Sequence, residues 1–549
     1  MISRILPYVL TTSIIVVILL PSTLTGGQEE PFPRLANYFL GNTIADRDRE
    51  ILSRWDLLVL SYRLDDNPQL RDRLSYITQL NQDVLMLIYT CAAAVNRSEV
   101  PPGPMEVACD QYDWWLRDYQ GNMLNEPSFP WSYLINMTNT EAAPGSHPQG
   151  KKANRYLAEL MVENHLLKYG YWSGIFYDVF SDNLGWLYKD QKDGNRNGKP
   201  EYDDSNNGNE PKFNDLWWDG SLTLMENTVS LKADAILIGN GLHRGALDAS
   251  NGRMTENFTK SGSKNLSYLC TNYQYLTNGT KMPRVSIVNG WLKDQNSTAY
   301  KEMRFSFCAT LMTDNYYSCD FGSQHHGETL WFDEYSVVDN GDVNARVTHL
   351  AESISHDQED IRVESTEGFR ENGIIEIAGE QIYYDSKSEH YFHDCFRGYP
   401  CLNKYDLRAA HATGSLIIQH YSDHTDYLGK AVAPAFDANE PWDTLDEFFE
   451  QAGWSAGDEI AEIIDRRVWQ RDFENGTVIV NPTPNPGWVF NLGNGRYRKI
   501  NGLQDHDHND GSIVYESVWI ESGDGIVLIS VNEEDSIPPA PPGGFRFKP

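Results

Sequence analysis

The sequence predicts an α/β protein, a (β/α)8 barrel with an inserted small β domain and a C-terminal antiparallel β domain. Short apolar runs, typical of buried parallel strands, alternate with helical patterns over about 300 residues. Near residue 346 this alternation of strand and helix patterns ends, and alternating strands and glycine turns follow. About 80 residues at the end run as short strands. A chain of 549 residues also exceeds what one core usually holds, so several domains are expected.

Residues 1–27 have the pattern of a secretory signal. Arg4 lies in a short basic head, an apolar stretch runs from Tyr8 to Leu20, and Pro21 and small residues follow. A membrane span needs about 20 apolar residues, so we expect cleavage, secretion and no stable membrane insertion. The formal charge is −33, which argues against nucleic-acid binding because a phosphate backbone would be repelled.

The barrel is assigned to residues 33–345, with a helical return at 421–467. Eight strands are predicted, which is enough to close a barrel: Leu35–Leu40, Trp55–Tyr62, Asp83–Thr90, Ser132–Asn136, Ile175–Tyr177, Ala235–Gly239, Arg284–Val288 and Asn315–Phe321. Helical spacing occurs between them, for example over Pro68–Gln79 and Asn154–Lys168.

Asp178 is the first candidate for a catalytic carboxylate. The apolar run Ile175–Tyr177 stops abruptly at this acid. In barrels of alternating strands and helices, catalytic groups lie at the carboxyl ends of the strands, where loops from different strands converge. The alternative is an acid that caps the following turn or helps to bind a cation.

A polar insertion between Gly185 and Leu216 contains a candidate calcium loop. Starting at Asp193, oxygen-bearing side chains stand at positions one, three, five, nine and twelve, and glycine stands at position six; the oxygen-bearing residues are Asp193, Asn195, Asn197, Glu201 and Asp204. This is close to the EF-hand spacing, with aspartate replacing the usual final glutamate. We predict a structural Ca²⁺ that stiffens the loop. The alternative is an ordinary solvated loop.

Residues 346–420 are assigned to the inserted module. A Gly368-Phe369 turn, a strand carrying Glu380, the pair Arg397-Gly398 and the turn around His411 resemble a small β module of phage tail and bacterial surface proteins. The resemblance implies an accessory or adhesive role. Residues 468–535 are assigned to a sandwich-like β domain, and residues 536–549, rich in proline and glycine, to a flexible tail.

Seven cysteines fall in no metal-ligand spacing, so a zinc site is not expected. In an oxidising compartment some should pair. The candidate disulfides are Cys395 with Cys401, Cys91 with Cys109, and Cys308 with Cys319.

Glycosidic bonds are cleaved by two carboxyl groups, so Asp178 needs a partner. Glu256, in the loop after the Ala235–Gly239 strand, is the best candidate because its apolar neighbours would raise its pKa toward that of a proton donor. The alternative is a surface acid. Trp331, Asp333 and Glu334 combine a ring with carboxyls in a way that suits sugar binding, although such residues also occur in ordinary cores.

Several motifs together resemble those of hypothetical glycoside hydrolases with a TIM barrel and no established substrate: ANYFLGN (36–42), WDLLVL (55–60), WWLRDYQGN (114–122), INMTN (135–139), GIFYDVF (174–180), ILIGNG (236–241), NGRMTENF (251–258) and WFDEY (331–335). The resemblance implies Asp178 as nucleophile or base and Glu256 as acid. Within these motifs we expect substrate contacts at the Tyr38-Phe39 position, Asp118, Asn136, Tyr177, Asn240, Trp331, Asp333 and Glu334.

The sequence therefore predicts a secreted glycoside hydrolase that cleaves a polysaccharide or oligosaccharide with a carboxylate pair. The alternative is a non-catalytic carbohydrate-binding or extracellular surface protein on a barrel scaffold. Geometry discriminates between them, because the two carboxyls should lie about 5 to 5.5 Å apart in a retaining enzyme and about 6.5 to 9.5 Å in an inverting one.

Overall fold

The computed structural model describes residues 30–531, apart from residues 42, 46–47, 99–100, 141–146, 148, 261–264, 294–296, 322–325, 339–340, 400–407, 422–425, 491 and 493–494. The predicted signal segment, 1–27, and the predicted tail, 536–549, lie outside the described residues. Among the described helices, none is long and apolar enough to cross a membrane.

Eight parallel strands form the predicted barrel, which confirms the α/β barrel class. They are β1 (Ala36–Phe39), β2 (Leu57–Ser61), β3 (Leu85–Cys91), β4 (Gly174–Asp178), β5 (Ile236–Asn240), β6 (Gly252–Phe258), β7 (Ile287–Leu292) and β8 (Tyr316–Phe321). Each strand pairs in parallel with the next. The barrel closes where the Tyr317 N–H donates to the Arg34 carbonyl at 2.8 Å, beside a parallel bridge from Leu35 to Tyr317.

One predicted barrel strand was wrong, and one barrel strand was missed. The predicted strand Ser132–Asn136 overlaps Phe129–Leu134, which lies in a separate antiparallel sheet with Ala94–Asn96 and Asn125–Glu126. Its place in the barrel is taken by Gly252–Phe258, expected to be a loop. Because GRMTENF contains several polar residues, it lacks the apolar run of a buried strand, although its Met254 packs inside the barrel. Glu256, two residues further on, faces the same side.

Helices surround the barrel and support the C-terminal part of the chain. The α-helices of the described residues are Asp48–Leu52, Pro68–Leu80, Pro104–Tyr112, Ala153–Met161, Phe213–Leu231, Cys270–Thr277, Ser297–Leu311, Leu445–Ala452 and Asp458–Asp465. The helix from Pro68 begins where the Asn67 side chain accepts a hydrogen bond from the Gln69 N–H at 2.9 Å, an ordinary N-cap followed by proline.

Alternate residues of the barrel strands fill its interior, as expected of a small closed barrel. The buried interior cluster includes Tyr38, Val59, Leu87, Phe176, Ile238, Met254 and Ile287. A second apolar layer lies between the strands and the outer helices. Polar side chains occur mainly at the carboxyl end of the barrel, where the candidate site lies.

The described residues between 345 and 420 form two small sheets around their own core. One contains Ala345–His349, Leu416–His420, Gly373–Ile377, Glu380–Tyr384 and Phe396–Tyr399, and the other Ile361–Arg362, Tyr391–His393 and Ser386–Ser388. Three of the motif residues noted in the sequence, Arg397, Gly398 and His411, meet at the buried Glu380 carboxylate. It accepts hydrogen bonds from the Arg397 guanidinium at 2.9 and 2.8 Å and from the Gly398 N–H at 3.0 Å, and it contacts His411 Nε2 at 2.7 Å. These residues thus form a buried ion-pair and hydrogen-bond network, which we call the Glu380 network.

The C-terminal part is antiparallel. Its seven-stranded sheet contains Glu440–Thr444, Phe436–Asp437, Trp469–Phe473, Gly476–Asn481, Asp524–Ser530, Tyr497–Lys499 and Ile513–Val514, and a two-stranded sheet contains Gly487–Phe490 and Ser517–Ile520. The segment predicted as a helical return therefore contributes strands as well as helices.

The six described cysteines are free thiols, so the predicted disulfides Cys91–Cys109 and Cys308–Cys319 are wrong. Cys308 packs in the helix Ser297–Leu311 against Gly525, and Cys319 lies within β8 near the Tyr335 hydroxyl. Closeness in sequence does not orient two Cβ atoms toward each other. Cys401, the proposed partner of Cys395, lies outside the described residues.

Candidate active site

A cleft of about 550 Å³ opens at the carboxyl end of the barrel. Barrel residues in its lining come from strand ends and the loops that follow them: Tyr38, Tyr89, Asp178, Asn240, Glu256 and His326. Parallel strands all end at this side of a barrel, so side chains far apart in the chain converge here.

Asp178 is the last residue of β4, and three donors hold its carboxylate. The Tyr89 hydroxyl donates at 2.7 Å, Asn240 Nδ2 at 3.0 Å, and the Val179 N–H at 2.8 Å. Val179 has φ = 52°, a left-handed conformation that is rare for a β-branched residue. Such strain persists where surrounding contacts over-determine it, and it is concentrated at functional sites.

Glu256 lies near the end of β6 and shares a donor with Asp178. The Asn240 Nδ2 atom that bonds Asp178 also donates to Glu256 Oε2 at 2.9 Å. Since both bonds end on one nitrogen, the two accepting oxygens are at most 5.9 Å apart. The predicted partners are therefore brought together, with Asn240 between them.

His326 completes the site from the loop after β8. Its Nε2 lies 3.3 Å from Glu256, and its Nδ1 lies 2.9 Å from Asp320, which also accepts a hydrogen bond from Asn289 at 2.7 Å. The imidazole ring stands 4.3 Å from the Tyr38 ring, centroid to centroid. A chain of polar groups thus runs from β7 and β8 to Glu256.

The surroundings shift the pKa values of the two acids in opposite directions. Burial, reinforced by the charge of Glu256, raises the pKa of Asp178 despite the hydrogen bonds from Tyr89 and Asn240. Burial acts on Glu256 too, but hydrogen bonding and charge from His326 outweigh it, and the pKa of Glu256 is lowered. Burial alone would lower the pKa of His326, but Asp320 and Glu256 raise it to about 10. At neutral pH His326 is therefore a cation beside an ionised Glu256.

Exposed aromatic rings line the mouth of the cleft. Trp131 is 50% exposed and Trp186 59% exposed, and the rings of Phe129 and Trp131 lie 5.9 Å apart. Sequence reasoning missed them. They come from the antiparallel sheet after β3 and from the loop after β4, and the alternating run FPWSYL was the one available signal.

The structure places some predicted substrate-binding residues elsewhere. Asn240 lies in the site, and at the Tyr38-Phe39 position the tyrosine lines the cleft while Phe39 packs in the outer core. Tyr177 also points outward, and its hydroxyl lies 2.8 Å from Thr228 Oγ1. Neighbouring strand residues face opposite sides, so the residue just before Asp178 cannot share its pocket.

Asp118 and Asn136 hold loops. Asp118 accepts hydrogen bonds from the N–H groups of Gln120 and Asn122 at 2.9 and 2.8 Å, which closes a turn. Asn136 is buried and donates to the Gly194 carbonyl at 2.7 Å. Neither side chain lines the cleft.

Trp331, Asp333 and Glu334 are buried beside the C-terminal domain, away from the cleft. Trp331 Nε1 donates to Ser336 at 2.5 Å, and Glu334 accepts from Asn509 at 2.9 Å. Burial raises the pKa of Glu334 to about 7. These residues join parts of the fold.

The predicted calcium loop is ordered by its own hydrogen bonds. Asp193 accepts from the N–H groups of Asn197 and Gly198 at 3.1 and 2.9 Å. The amides of Asn195 and Asn197 converge on Glu210, at 3.1 and 2.6 Å.

The two remaining predicted ligands face other partners. Glu201 accepts from the Gly194 and Asn195 N–H groups at 2.8 and 3.1 Å, and burial raises its pKa to about 7. Asp204 bonds Asn214 at 2.9 Å. Among the residues described, no group of three or more histidine, cysteine, aspartate or glutamate side chains is arranged to hold a metal ion.

No protein-family model and no curated protein matches the chain. Solved structures with a similar fold include the glycoside hydrolase domain of PelA from Pseudomonas aeruginosa (12% identity, TM-score 0.35, 54% of this chain and 97% of that one). Another is an α-amylase from Geobacillus thermoleovorans (9%, 0.38, 91% and 98%). A third is the GH36 α-galactosidase AgaA from Geobacillus stearothermophilus (7%, 0.33, 92% and 56%).

Proposed function

We propose that the protein is a secreted glycoside hydrolase that cleaves a polysaccharide or oligosaccharide with Asp178 and Glu256. The observation that carries the proposal is the single Asn240 amide shared by two partly buried carboxylates at the carboxyl end of a parallel barrel. One oxygen of each carboxylate lies within 5.9 Å of the other, a closeness that is compatible with the short carboxyl separation of a retaining enzyme. Secretion rests on the pattern of residues 1–27.

The opposite pKa shifts support a division of roles. Asp178, whose pKa is raised, is suited to carry the proton, and Glu256, whose pKa is lowered, is suited to be the ionised nucleophile. This is the reverse of the assignment implied by the family resemblance. The neighbours of Glu256 explain the reversal, because a histidine cation from the loop after β8 opposes the effect of burial.

The reaction then proceeds in two displacements. Glu256 attacks the anomeric carbon while Asp178 gives its proton to the departing glycosidic oxygen, which leaves a sugar ester on Glu256. Asp178, now a carboxylate, takes a proton from water, and the water oxygen displaces Glu256 from the sugar. Both side chains return to their starting states. The rings of Trp131 and Trp186 would support sugar units at the mouth of the cleft.

Activity on a panel of polysaccharides tests the proposal. We expect hydrolysis of at least one substrate, with a loss of about 10³-fold or more in kcat for Asp178→Asn and for Glu256→Gln. Asp248→Asn, at an exposed acid outside the cleft, serves as the matched control and should retain activity. Equal turnover by the wild type and the two cleft variants would remove these residues from the mechanism.

Leaving-group chemistry tests the roles separately. An aryl glycoside with an acidic phenol leaves without protonation, so a variant lacking only the proton donor keeps much of its first step. We expect Asp178→Ala to retain activity on such a substrate and Glu256→Ala to lose it. The opposite outcome would support the roles implied by the resemblance, with Asp178 as nucleophile or base and Glu256 as acid.

We also propose that the loop beginning at Asp193 binds Ca²⁺ as a structural ion. The loop has nearly the oxygen spacing of an EF-hand, and two carboxylates, Asp193 and Glu210, lie beside the amides of Asn195 and Asn197. We expect EDTA to lower the melting temperature, CaCl₂ to restore it, and Glu210→Gln to abolish the response. Melting that is indifferent to chelator would contradict the proposal.

A further inference from the structure

The C-terminal domain carries a strip of exposed aromatic rings. Trp488 and Phe490 lie two residues apart on one strand of the two-stranded sheet, so they face the same side. Trp519 lies directly across from Trp488 on the partner strand. We call these three residues the aromatic strip. They are 49%, 56% and 43% exposed.

The strip is unusual because both faces of this sheet are apolar. Val489, Val518 and Ile520 point the other way and are buried in the core of the domain. An antiparallel sheet with one solvated face ordinarily places polar residues on that face. Grouped exposed aromatic rings are instead typical of a binding surface.

Two of the three rings are nearly parallel, and the third meets its neighbour edge-on. The centroids of Trp488 and Trp519 are 5.5 Å apart at 67°, and those of Trp488 and Phe490 are 6.4 Å apart at 29°. The Trp519 Nε1–H donates to Glu521 at 2.7 Å, which holds that indole in place. The nearly parallel faces of Trp488 and Phe490, with the edge-on Trp519 beside them, suit a ligand that has apolar faces of its own.

Area and charge select the class of ligand. Three rings about half exposed present about 300 Å² of aromatic surface, well short of the roughly 800 Å² per partner that a standard protein interface buries. The chain has a formal charge of −33, which repels polyanions such as nucleic acids and acidic polysaccharides. An uncharged glycan is not repelled by this charge, and its C–H faces pack on the negative faces of aromatic rings.

We propose that the aromatic strip binds an uncharged polysaccharide at a second site, separate from the cleft. This site needs no hydrolysis. It would hold the enzyme on an extended substrate and raise the local concentration of chain near the cleft. Its ligand contacts are ring faces, so removal of the rings should abolish binding without affecting the catalytic acids.

Pull-down on solid polysaccharides tests the strip independently of activity. Asp178→Asn protein is incubated with microcrystalline cellulose, chitin and granular starch, with polygalacturonate gel as the acidic comparison. We expect retention on at least one uncharged polymer and none on polygalacturonate. Adding Trp488→Ala and Trp519→Ala together should weaken that retention at least tenfold, whereas Trp442→Ala, at a 72% exposed tryptophan elsewhere, should leave it unchanged.

Three results would overturn the inference. Retention unaffected by the double substitution, or absent from every uncharged polymer, would show that the strip is not a glycan site. A sedimentation profile showing a dimer that the double substitution dissociates would assign the strip to a second copy of the chain. Phe490→Ser offers a milder variant if the double variant melts early, and it should weaken retention in the same direction.

Discussion

At the scale of single residues, the site depends on one amide. Two partly buried carboxylates held close together in the cleft repel each other, and Asn240 offsets that repulsion by giving one N–H to each. The planar amide also sets the spacing between them. Asn240 was expected to contact substrate, and the structure assigns it a second role, that of positioning both acids.

His326 should control the acidic side of the pH profile. Replacing it with glutamine removes the cation beside Glu256, so the pKa of that carboxyl rises. Glu256 must be ionised to attack, and the acidic limb of kcat/KM should therefore move to higher pH, with activity at pH 5 falling about tenfold or more relative to the optimum.

The control for this prediction is His349→Gln, at a partly exposed histidine of the inserted module. It should leave the profile in place. An unshifted acidic limb in His326→Gln would mean that the imidazole does not govern the ionisation of Glu256.

At the scale of elements, regular apolar runs were predicted and mixed patterns were not. The runs of β2, β3, β4 and β5 are buried on both sides and read clearly from the sequence. In β6, by contrast, polar side chains face the cleft and the neighbouring helices, so burial there does not appear as an apolar run. The strand Phe129–Leu134 is the opposite case. It is rich in aromatic residues although it is partly exposed, and its apolar pattern was mistaken for that of a barrel strand.

The inserted module should depend on Glu380. Glu380→Gln leaves the buried Arg397 without its carboxylate, and we expect a loss of about 3–5 kcal/mol in unfolding free energy of the module. Burial raises the pKa of Glu380, but His411 and Arg397 outweigh it and lower the pKa overall. The stabilisation is therefore present above the ordinary carboxyl pKa and lost as pH falls through the lowered value.

Calorimetry from pH 7 down to pH 3 would check this, with the exposed Glu367→Gln as control. Wild type should lose module stability in acid, and Glu380→Gln should show a smaller dependence. Equal melting temperatures of wild type and Glu380→Gln at pH 7 would rule out the Glu380 network as a source of stability.

At the scale of the whole molecule, Asp333 joins three parts of the chain. It lies in the segment after the barrel, its Oδ1 is 2.8 Å from His420 at the end of the inserted module, and its Oδ2 accepts from the Leu503 and Gln504 N–H groups of the C-terminal domain at 2.6 and 2.7 Å. A residue predicted to bind substrate instead holds the parts together.

Asp333→Asn should therefore lower stability without changing substrate affinity. The amide cannot accept all three hydrogen bonds, so we expect a loss of about 3–5 kcal/mol in unfolding free energy and an unchanged KM. Differential scanning calorimetry and steady-state kinetics measure the two effects, with Asp342→Asn, at a more exposed acid nearby, as the control. A raised KM with an unchanged melting temperature would instead show that Asp333 binds substrate.

The sequence by itself determined the barrel class, the position of Asp178 at a strand end and the strands after residue 468, because these follow from local patterns of apolar residues. Only the tertiary structure decided what Asp178 faces. Tyr89, Asn240, Glu256 and His326 come from separate strand ends and loops, and closure of the barrel brings them to one cleft. The direction in which each pKa shifts depends on burial and on charges supplied by distant parts of the chain, and a local pattern contains neither.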